Sequence, residues 1–167
     1  MTYSKNSPKH KRPSWDEYFL QVMDIVGSRG TCDRGRSGAL LVRDRRILAT
    51  GYVGSPIGIP HCDEVGHEMH TVTRENGVAS RHCLRTSHAE LNAIVNAARF
   101  GVAIDGATLY CKMVPCYTCA KAIINAGIKR VVAFRNYHST EQSKEVFKKA
   151  KVTLSIINKE IEPYKDQ

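Results

Sequence analysis

Apolar residues recur along this chain at helical spacing in some stretches, in short unbroken runs in others, and without any period in one. From Trp15 onward they fall at Trp15, Tyr18, Phe19, Val22, Met23 and Val26, the i, i+3, i+4 spacing of a helix with one buried stripe. Ser14 precedes it as an N-cap, Asp16 and Glu17 occupy the first turn where the helix dipole favours negative charge, and Gly27 and Gly30 punctuate its end. "GALLV" (Gly38–Val42) and "ILATGY" (Ile47–Tyr52) are short apolar runs separated by "RDRR", which predicts a hairpin, and "GSPIGIP" (Gly54–Pro60) predicts a loop. Helical spacing returns from His88 to Arg99, closed by Gly101. It returns again over Cys116–Ala126, opened by Pro115 and stopped by Gly127, and over Glu141–Ala150. "ATLYC" (Ala107–Cys111), "KRVVAF" (Lys129–Phe134) and "VTLSII" (Val152–Ile157) read as strands. Between Cys62 and Ser87 the pattern is irregular and polar, the kind of stretch that is functional, disordered or held by a ligand.

Strands alternating with helices after an opening hairpin predict an α/β fold, a three-layer α/β/α domain on a mixed sheet. The expected organisation is a basic tail over residues 1–13 and one domain over residues 14–160, with no internal repeat or linker.

Composition narrows this little: at 42% hydrophobic and 25% charged, the 167 residues describe an ordinary globular chain. No run of about 18 apolar residues occurs, so no membrane span is expected. The N-terminal stretch lacks the apolar core of a secretory signal, and the expected compartment is the cytosol. There, six cysteines are metal ligands or free thiols rather than disulfides. The formal charge of +9 is scattered over Lys9, Lys11, Arg12, Arg34, Arg36, Arg43, Arg45, Arg46, Lys148, Lys149 and Lys151. A phosphate-bearing partner and a merely solvated basic surface both fit it, since no aromatics interleave the charges.

Two short patterns carry the chemistry. "HAE" (His88–Glu90) opens one helix, and "PCYTC" (Pro115–Cys119) opens another. Cys116 and Cys119 share one helical turn, where the positive end of the helix favours thiolates. His88, Cys116 and Cys119 make three ligands, which leaves the fourth tetrahedral position of Zn²⁺ for water, as in a catalytic site. Glu90 is not needed as a ligand and suits a proton shuttle beside an activated water. Alone, a Cys-x-x-Cys is often half of a structural zinc knuckle or a redox pair. In order and on helix starts, H-x-E and P-C-x-x-C form the signature of zinc-dependent nucleobase deaminases.

The chain resembles the cytidine/deoxycytidylate deaminase superfamily, and within it the deoxycytidylate (dCMP) deaminases. The resemblance rests on "HAELNAI", "PCYTCAKAIINAGIKRVV", "ILATGYVGSPIGIPHCDEVGHEM" and "HCLRTSHAE", and covers roughly Trp15 to Ile157. It implies a hydrolase acting on a cyclic amidine: dCMP goes to dUMP and ammonia in pyrimidine nucleotide metabolism. His88, Cys116 and Cys119 would hold zinc, zinc hydroxide would attack C4, and Glu90 would pass its proton to N3 and then to the leaving amine. It also implies a homo-oligomer, commonly a hexamer, with dCTP and dTTP as effectors and Mg²⁺ as their companion. The family usually reads Gly-Tyr-Asn-Gly where this chain has Gly51, Tyr52, Val53 and Gly54, and valine offers no side-chain hydrogen bond to the sugar or phosphate. Contacts are therefore expected from Gly54 and Ser55, from the backbone near Ala89 and Cys116, from Arg99 in its own or a neighbouring subunit, and from Tyr137. Their bland counterparts are a turn serine, a surface arginine and a packing tyrosine. His138 reads as surface.

Cys111 ends an apolar strand and reads as a buried small hydrophobe. Cys32, Cys62 and Cys83 lie in loops near His61, His67, His70 and His82. A second, structural zinc on Cys32, Cys62, His67 and Cys83 would order a region poor in apolar residues, with His82 or His70 as the rival fourth ligand. Related dCMP deaminases carry such a zinc. Free thiols beside solvated histidines are the alternative.

Two rival readings stay open. One is another deaminase of the superfamily, acting on dCTP or on tRNA adenosine. Free-cytidine deaminases, with three cysteine ligands, fit less well because the first ligand here is His88. The other is a nucleic-acid-binding module with purely structural zinc, which would use four protein ligands and have no need of Glu90.

Overall fold

Ser14 starts the fold as a full capping box: its hydroxyl accepts from the Glu17 N–H, and the Glu17 carboxylate accepts from the Ser14 N–H at 2.7 Å. The computed structural model describes residues 11–73, 79–138 and 140–162; the first ten residues of the expected tail, Lys9 among them, lie outside this range. In chain order the elements are α1 (Trp15–Gly27), β1 (Gly38–Arg43), β2 (Arg46–Tyr52), α2 (Cys62–Val65), β3 (Met69–Thr73), β4 (Ala79–Cys83), α3 (Ala89–Arg99), β5 (Thr108–Met113), α4 (Tyr117–Asn125), β6 (Arg130–Asn136), α5 (Glu141–Lys149) and β7 (Thr153–Ile161).

Five strands form one sheet in the order β2-β1-β5-β6-β7. β1 runs antiparallel to β2 and β5, while β5, β6 and β7 are parallel, so the sheet is mixed. Alternation along the strands divides the core in two. Leu40, Val42, Tyr110 and Val132 meet Phe19, Leu20 and Met23 of α1 on one face. Ala39, Leu41, Leu109, Cys111, Val131 and Ala133 face the other way, against α3, α4 and Phe147 of α5. Helices on both faces of a mixed sheet give the three-layer architecture expected from the sequence.

Helix α3 lies unusually close to the sheet. Its buried residues are Ala89, Ala93 and Ala97, four apart on one face. Opposite them is Gly51 of β2, where an added Cβ would fall 2.3 Å from both the Ala89 carbonyl oxygen and the Ala93 nitrogen. The edge strand's carbonyls are capped by the same helix, as Asn92 Nδ2 donates to the Tyr52 oxygen at 2.8 Å and Asn96 Nδ2 to the Thr50 oxygen at 3.0 Å.

The structure differs from the sequence reading in two places. The stretch read as irregular holds α2 and a two-stranded hairpin in which Met69 pairs Cys83 and Thr73 pairs Ala79. β3 is exposed from His70 to Thr73, so burial imposes no apolar alternation on it. The last strand continues to Ile161, beyond Ile157, through residues that are mostly exposed.

Asp16 links α1 to the sheet. It accepts two bonds from Arg130, at 2.8 and 2.6 Å, and one from the Tyr110 hydroxyl at 2.8 Å. The Arg130 guanidinium holds its carboxyl below the ordinary value, against the opposing effect of burial. Asp16→Asn should cost about 1–2 kcal/mol at neutral pH, the low end for charged hydrogen bonds because about a third of each side chain meets solvent. A depressed folded pKa contributes stability above the unfolded pKa of about 3.9, and that contribution is lost as pH falls through the folded value. Urea unfolding of both proteins should therefore show a gap at pH 7 that closes in acid; a gap independent of pH would contradict the assignment.

Candidate functional site

The ends of two helices build the site. His88 is the N-cap residue of α3 and Cys116 that of α4, and neither side chain caps its own helix. Both side chains are thereby left to meet each other. His88 Nδ1 lies 3.5 Å from Cys116 Sγ and 3.4 Å from Cys119 Sγ. These separations match the sulfur–nitrogen edge of a zinc tetrahedron, about 3.6 Å for bonds near 2.3 and 2.1 Å. The three donor atoms all fall within 4.8 Å of one another, so the donor set fits a zinc ion with one position left over.

The three side chains are tightly coupled electrostatically. Cys116 is held down to about 4 by its hydrogen bond with Cys119 and by His88, while that bond and burial push Cys119 up. His88 is raised to about 9, chiefly by the Cys116 thiolate. Glu90, one residue into α3, is raised above its ordinary value by desolvation, with His88 pulling the other way. A carboxyl that holds a proton more tightly than a solvent-exposed one is suited to receive and return protons. Cys111 is also pushed up by burial; its Sγ donates to the Met113 oxygen at 3.1 Å and it packs in the core.

A cavity of about 320 Å³ opens on Glu90 and His88, within the size range of small-ligand sites. Ala89, Cys116 and Tyr137 line it. The Tyr137 ring lies 4.1 Å from that of His138. The first backbone N–H groups of α3 and α4 lack intrahelical partners and stand at this cavity. Gly54 and Ser55 do not line it. Gly54 is buried in a bridge with Ser87, and the Ser55 hydroxyl oxygen is buried without a hydrogen bond among the described residues. Arg99 is at the opposite end of α3, roughly 15 Å along the axis from Ala89 at about 1.5 Å per residue, with its guanidinium over Phe100.

A second cluster forms the neighbouring wall. The ligand atoms of Cys32, Cys62, His67 and Cys83 lie within 4.8 Å of one another. Cys62 and Cys83 sulfurs are 3.6 Å apart, too far for a disulfide and near the tetrahedral edge of about 3.8 Å expected for two zinc thiolates. His67 Nδ1 is 3.7 Å from Cys32 Sγ, and its Nε2 faces Asp33 Oδ1 at 2.9 Å. A carboxylate on the outer nitrogen is how metal-binding histidines are oriented. Burial pushes Cys62 up to about 12 and also raises Cys32, whereas at Cys83 backbone hydrogen bonds from Arg85 and Glu68 outweigh burial. The donor set fits a closed structural zinc. His61 is engaged elsewhere, its Nδ1 3.0 Å from Thr31 Oγ1, and His70 and His82 form a cross-strand pair in the hairpin.

Val53, the departure in the nucleotide loop, is 8% exposed and packs against Cys32 and Cys62 while presenting one side to the cavity. The polar residues of the cavity wall to which the sequence reading gave no site role include Arg34, Ser37, Arg81, Thr86 and Gln142. For the arginines a signal was available. Each is two residues from a cysteine of the second cluster, and in a strand such as β4 that spacing puts both on one face.

The family model for the cytidine and deoxycytidylate deaminase zinc-binding region matches residues 13–135. ComE operon protein 2 of Bacillus subtilis is 41% identical over 144 residues, covering 86% of this chain and 71% of that protein. The deoxycytidylate deaminase of Saccharomyces cerevisiae is 39% identical over 145 residues, covering 86% of this chain, which spans 45% of the yeast protein's length. The crystal structure of dCMP deaminase from the cyanophage S-TIM5 in complex with dCMP and dUMP superposes with a TM-score of 0.69 at 30% identity, covering 88% of this chain and 99% of that one.

Proposed function

The chain belongs to the cytidine and deoxycytidylate deaminase family, and from that premise we propose that it hydrolyses dCMP to dUMP and ammonia. One observation carries the reading: Glu90 stands beside the His88–Cys116–Cys119 cluster in a cavity that fits one nucleotide. The superposition on a deaminase named as a complex with dCMP and dUMP supports the choice of substrate.

His88, Cys116 and Cys119 are the residues that would hold the catalytic zinc. Zinc bound there supplies a Lewis acid that lowers the pKa of water toward about 7. Glu90 then acts as the proton carrier. It takes a proton from the attacking water and gives it to N3 of the pyrimidine as the water oxygen adds at C4. It passes a second proton to the amine, which departs as ammonia while the C4 carbonyl forms. The backbone N–H groups at the starts of α3 and α4, near Ala89 and Cys116, orient the base, and Tyr137 closes the cavity beside it.

Cys32, Cys62, His67 and Cys83 would hold a second zinc with a structural role. A homo-oligomer, with a hexamer favoured, is the setting in which Arg99 would serve a neighbouring copy's site, and Gly54 and Ser55 shape the nucleotide loop from behind. Regulation by dCTP and dTTP, with Mg²⁺, belongs to the same reading. Among the described residues no helix is long and apolar enough to cross a membrane.

Two experiments test this. Glu90→Gln should keep its metal and lose turnover of dCMP by about 10²–10⁴-fold, the usual worth of a positioned proton carrier. Turnover within a few-fold of the parent in a metal-loaded variant would remove Glu90 from the mechanism. Metal analysis should give about two zinc ions per chain, and Cys83→Ser should lose one of them and melt at a lower temperature. A single zinc in the parent protein would strike the structural site from the account.

A further inference from the structure

The fold sorts basic residues that are scattered through the sequence. Val42, near the end of β1, pairs with Thr108 at the start of β5. Thr108 pairs with Arg130 at the start of β6, and Arg130 with Thr153 at the start of β7. The β1–β2 turn and the loops that enter β5, β6 and β7 therefore lie along one end of the sheet. The cavity is at the opposite end, beyond Met113 and Asn136, the last residues of β5 and β6. Exposed along the first end are Arg45 and Arg46 at the β1–β2 turn, Lys129 before β6 and Lys151 before β7. They run from one edge of the sheet to the other, about 19 Å for five strands about 4.8 Å apart. None of the four forms an ion pair among the described residues. Of the nearby carboxylates, Asp16 is taken by Arg130, and Asp44 and Asp105 are exposed. The same end holds an aromatic ring that sequence order does not place there. Trp15 is 49% exposed, stacks on Phe19 at 5.7 Å and carries the Arg45 guanidinium 5.1 Å from its centroid. Lys11 and Arg12 stand exposed just ahead of it.

We propose that this end of the sheet binds single-stranded nucleic acid, with Arg45, Arg46, Lys129 and Lys151 tracking the phosphates and Trp15 stacking on a base. The inference does not depend on the deaminase reading, since none of these residues lines the cavity. A row of cations beside an exposed aromatic ring is how proteins hold a single strand: the charges follow the backbone and the ring takes a base face. A duplex keeps its base faces stacked and would leave Trp15 without a role. A row about 19 Å long and one sheet thick also suits a line of phosphates better than a plane of lipid headgroups. Contacts of this kind read charge and base faces rather than base edges, so the binding is tolerant of sequence. It would tether the protein to a polymer without presenting that polymer to the His88 cluster at the opposite end.

The test titrates the full chain with oligo(dT) of about 20 nucleotides, a length suited to single-strand sites, which carries no cytosine. Two signals are followed: the anisotropy of a label on the oligonucleotide, and the emission of Trp15, the single tryptophan of the chain. Binding should quench Trp15. Affinity should fall about 50-fold between roughly 50 and 200 mM salt, the effect of four neutralised phosphates at about 0.7 of logarithmic slope each. The variant carrying Arg45→Gln, Arg46→Gln, Lys129→Gln and Lys151→Gln should melt like the parent and lose most of that affinity and its salt dependence. Trp15→Ala should bind about 5–150-fold more weakly, the worth of one stacked base, at an unchanged salt slope. Excess dUMP should leave the oligonucleotide in place. No binding by the parent, or binding that leaves the Trp15 emission unchanged, would overturn the proposal without recourse to any variant. Binding that survives the four substitutions, or that dUMP displaces, would place the polymer elsewhere on the chain and overturn it as well. Binding to vesicles of phosphatidylserine in phosphatidylcholine but not to oligo(dT) would assign this end to an anionic membrane, against the proposal.

Discussion

The close approach of α3 to β2 sets the position of everything at the cavity. A helix normally keeps its distance from a sheet because side chains fill the gap. Here the gap is closed from both sides, by alanine at every fourth residue of α3 and by glycine at position 51. Backbone then meets backbone, and Asn92 and Asn96 bond to the carbonyls of an edge strand that would otherwise be left to solvent. A helix held this way has little freedom to slide or rotate. His88 and Glu90 sit on its first turn, and they inherit that rigidity. Even one methyl group at Gly51 would have to displace backbone rather than a flexible side chain.

The second consequence is a division of labour between two thiol-rich clusters. The first joins two helix starts on the core of the fold, where Ala89, Cys119 and Ala120 are fully buried. The second ties together α2, the hairpin and the loop after α1, whose apolar cluster among the described residues is Cys32, Val53 and Cys62 with Cys83 against them. A segment with so little to bury lacks the usual means of offsetting the entropy of ordering, and a metal bound at the second cluster would supply it. The substitution at Val53 fits this arrangement. An asparagine there would bring a polar group against two thiols, whereas valine packs on them.

The regular elements were legible from the sequence because burial wrote a period into them. The α1 stripe and the alternating strands of the central sheet are read directly from apolar spacing, although Trp15 and Tyr18, counted on that stripe, remain 49% and 41% exposed. The grouping of His88, Cys116 and Cys119 was legible through their spacing and their place at helix starts. The hairpin was not, because its first strand faces solvent and follows no apolar rhythm. The arginines of the cavity wall were hidden by composition: in a chain with 25 lysines and arginines, two among many do not stand out until the fold brings Arg34 and Arg81 together. Arg99 was expected to serve the cavity of its own or a neighbouring subunit. It shares a helix with Glu90 but lies a helix length from its own chain's cavity, which leaves the neighbouring-subunit form of the expectation.

The central claim is that seven side chains make two metal sites of different kind, one closed and one with a position left for water. X-ray absorption at the zinc edge on the purified protein reads this directly. A Cys₃His site and a Cys₂His site completed by one oxygen predict, averaged over both, about 2.5 sulfur neighbours near 2.3 Å and about 1.5 nitrogen or oxygen neighbours near 2.0–2.1 Å per zinc. An average of four sulfurs, or of fewer than two, would contradict the ligand sets on which the cavity, the proton carrier and the ordered hairpin all rest.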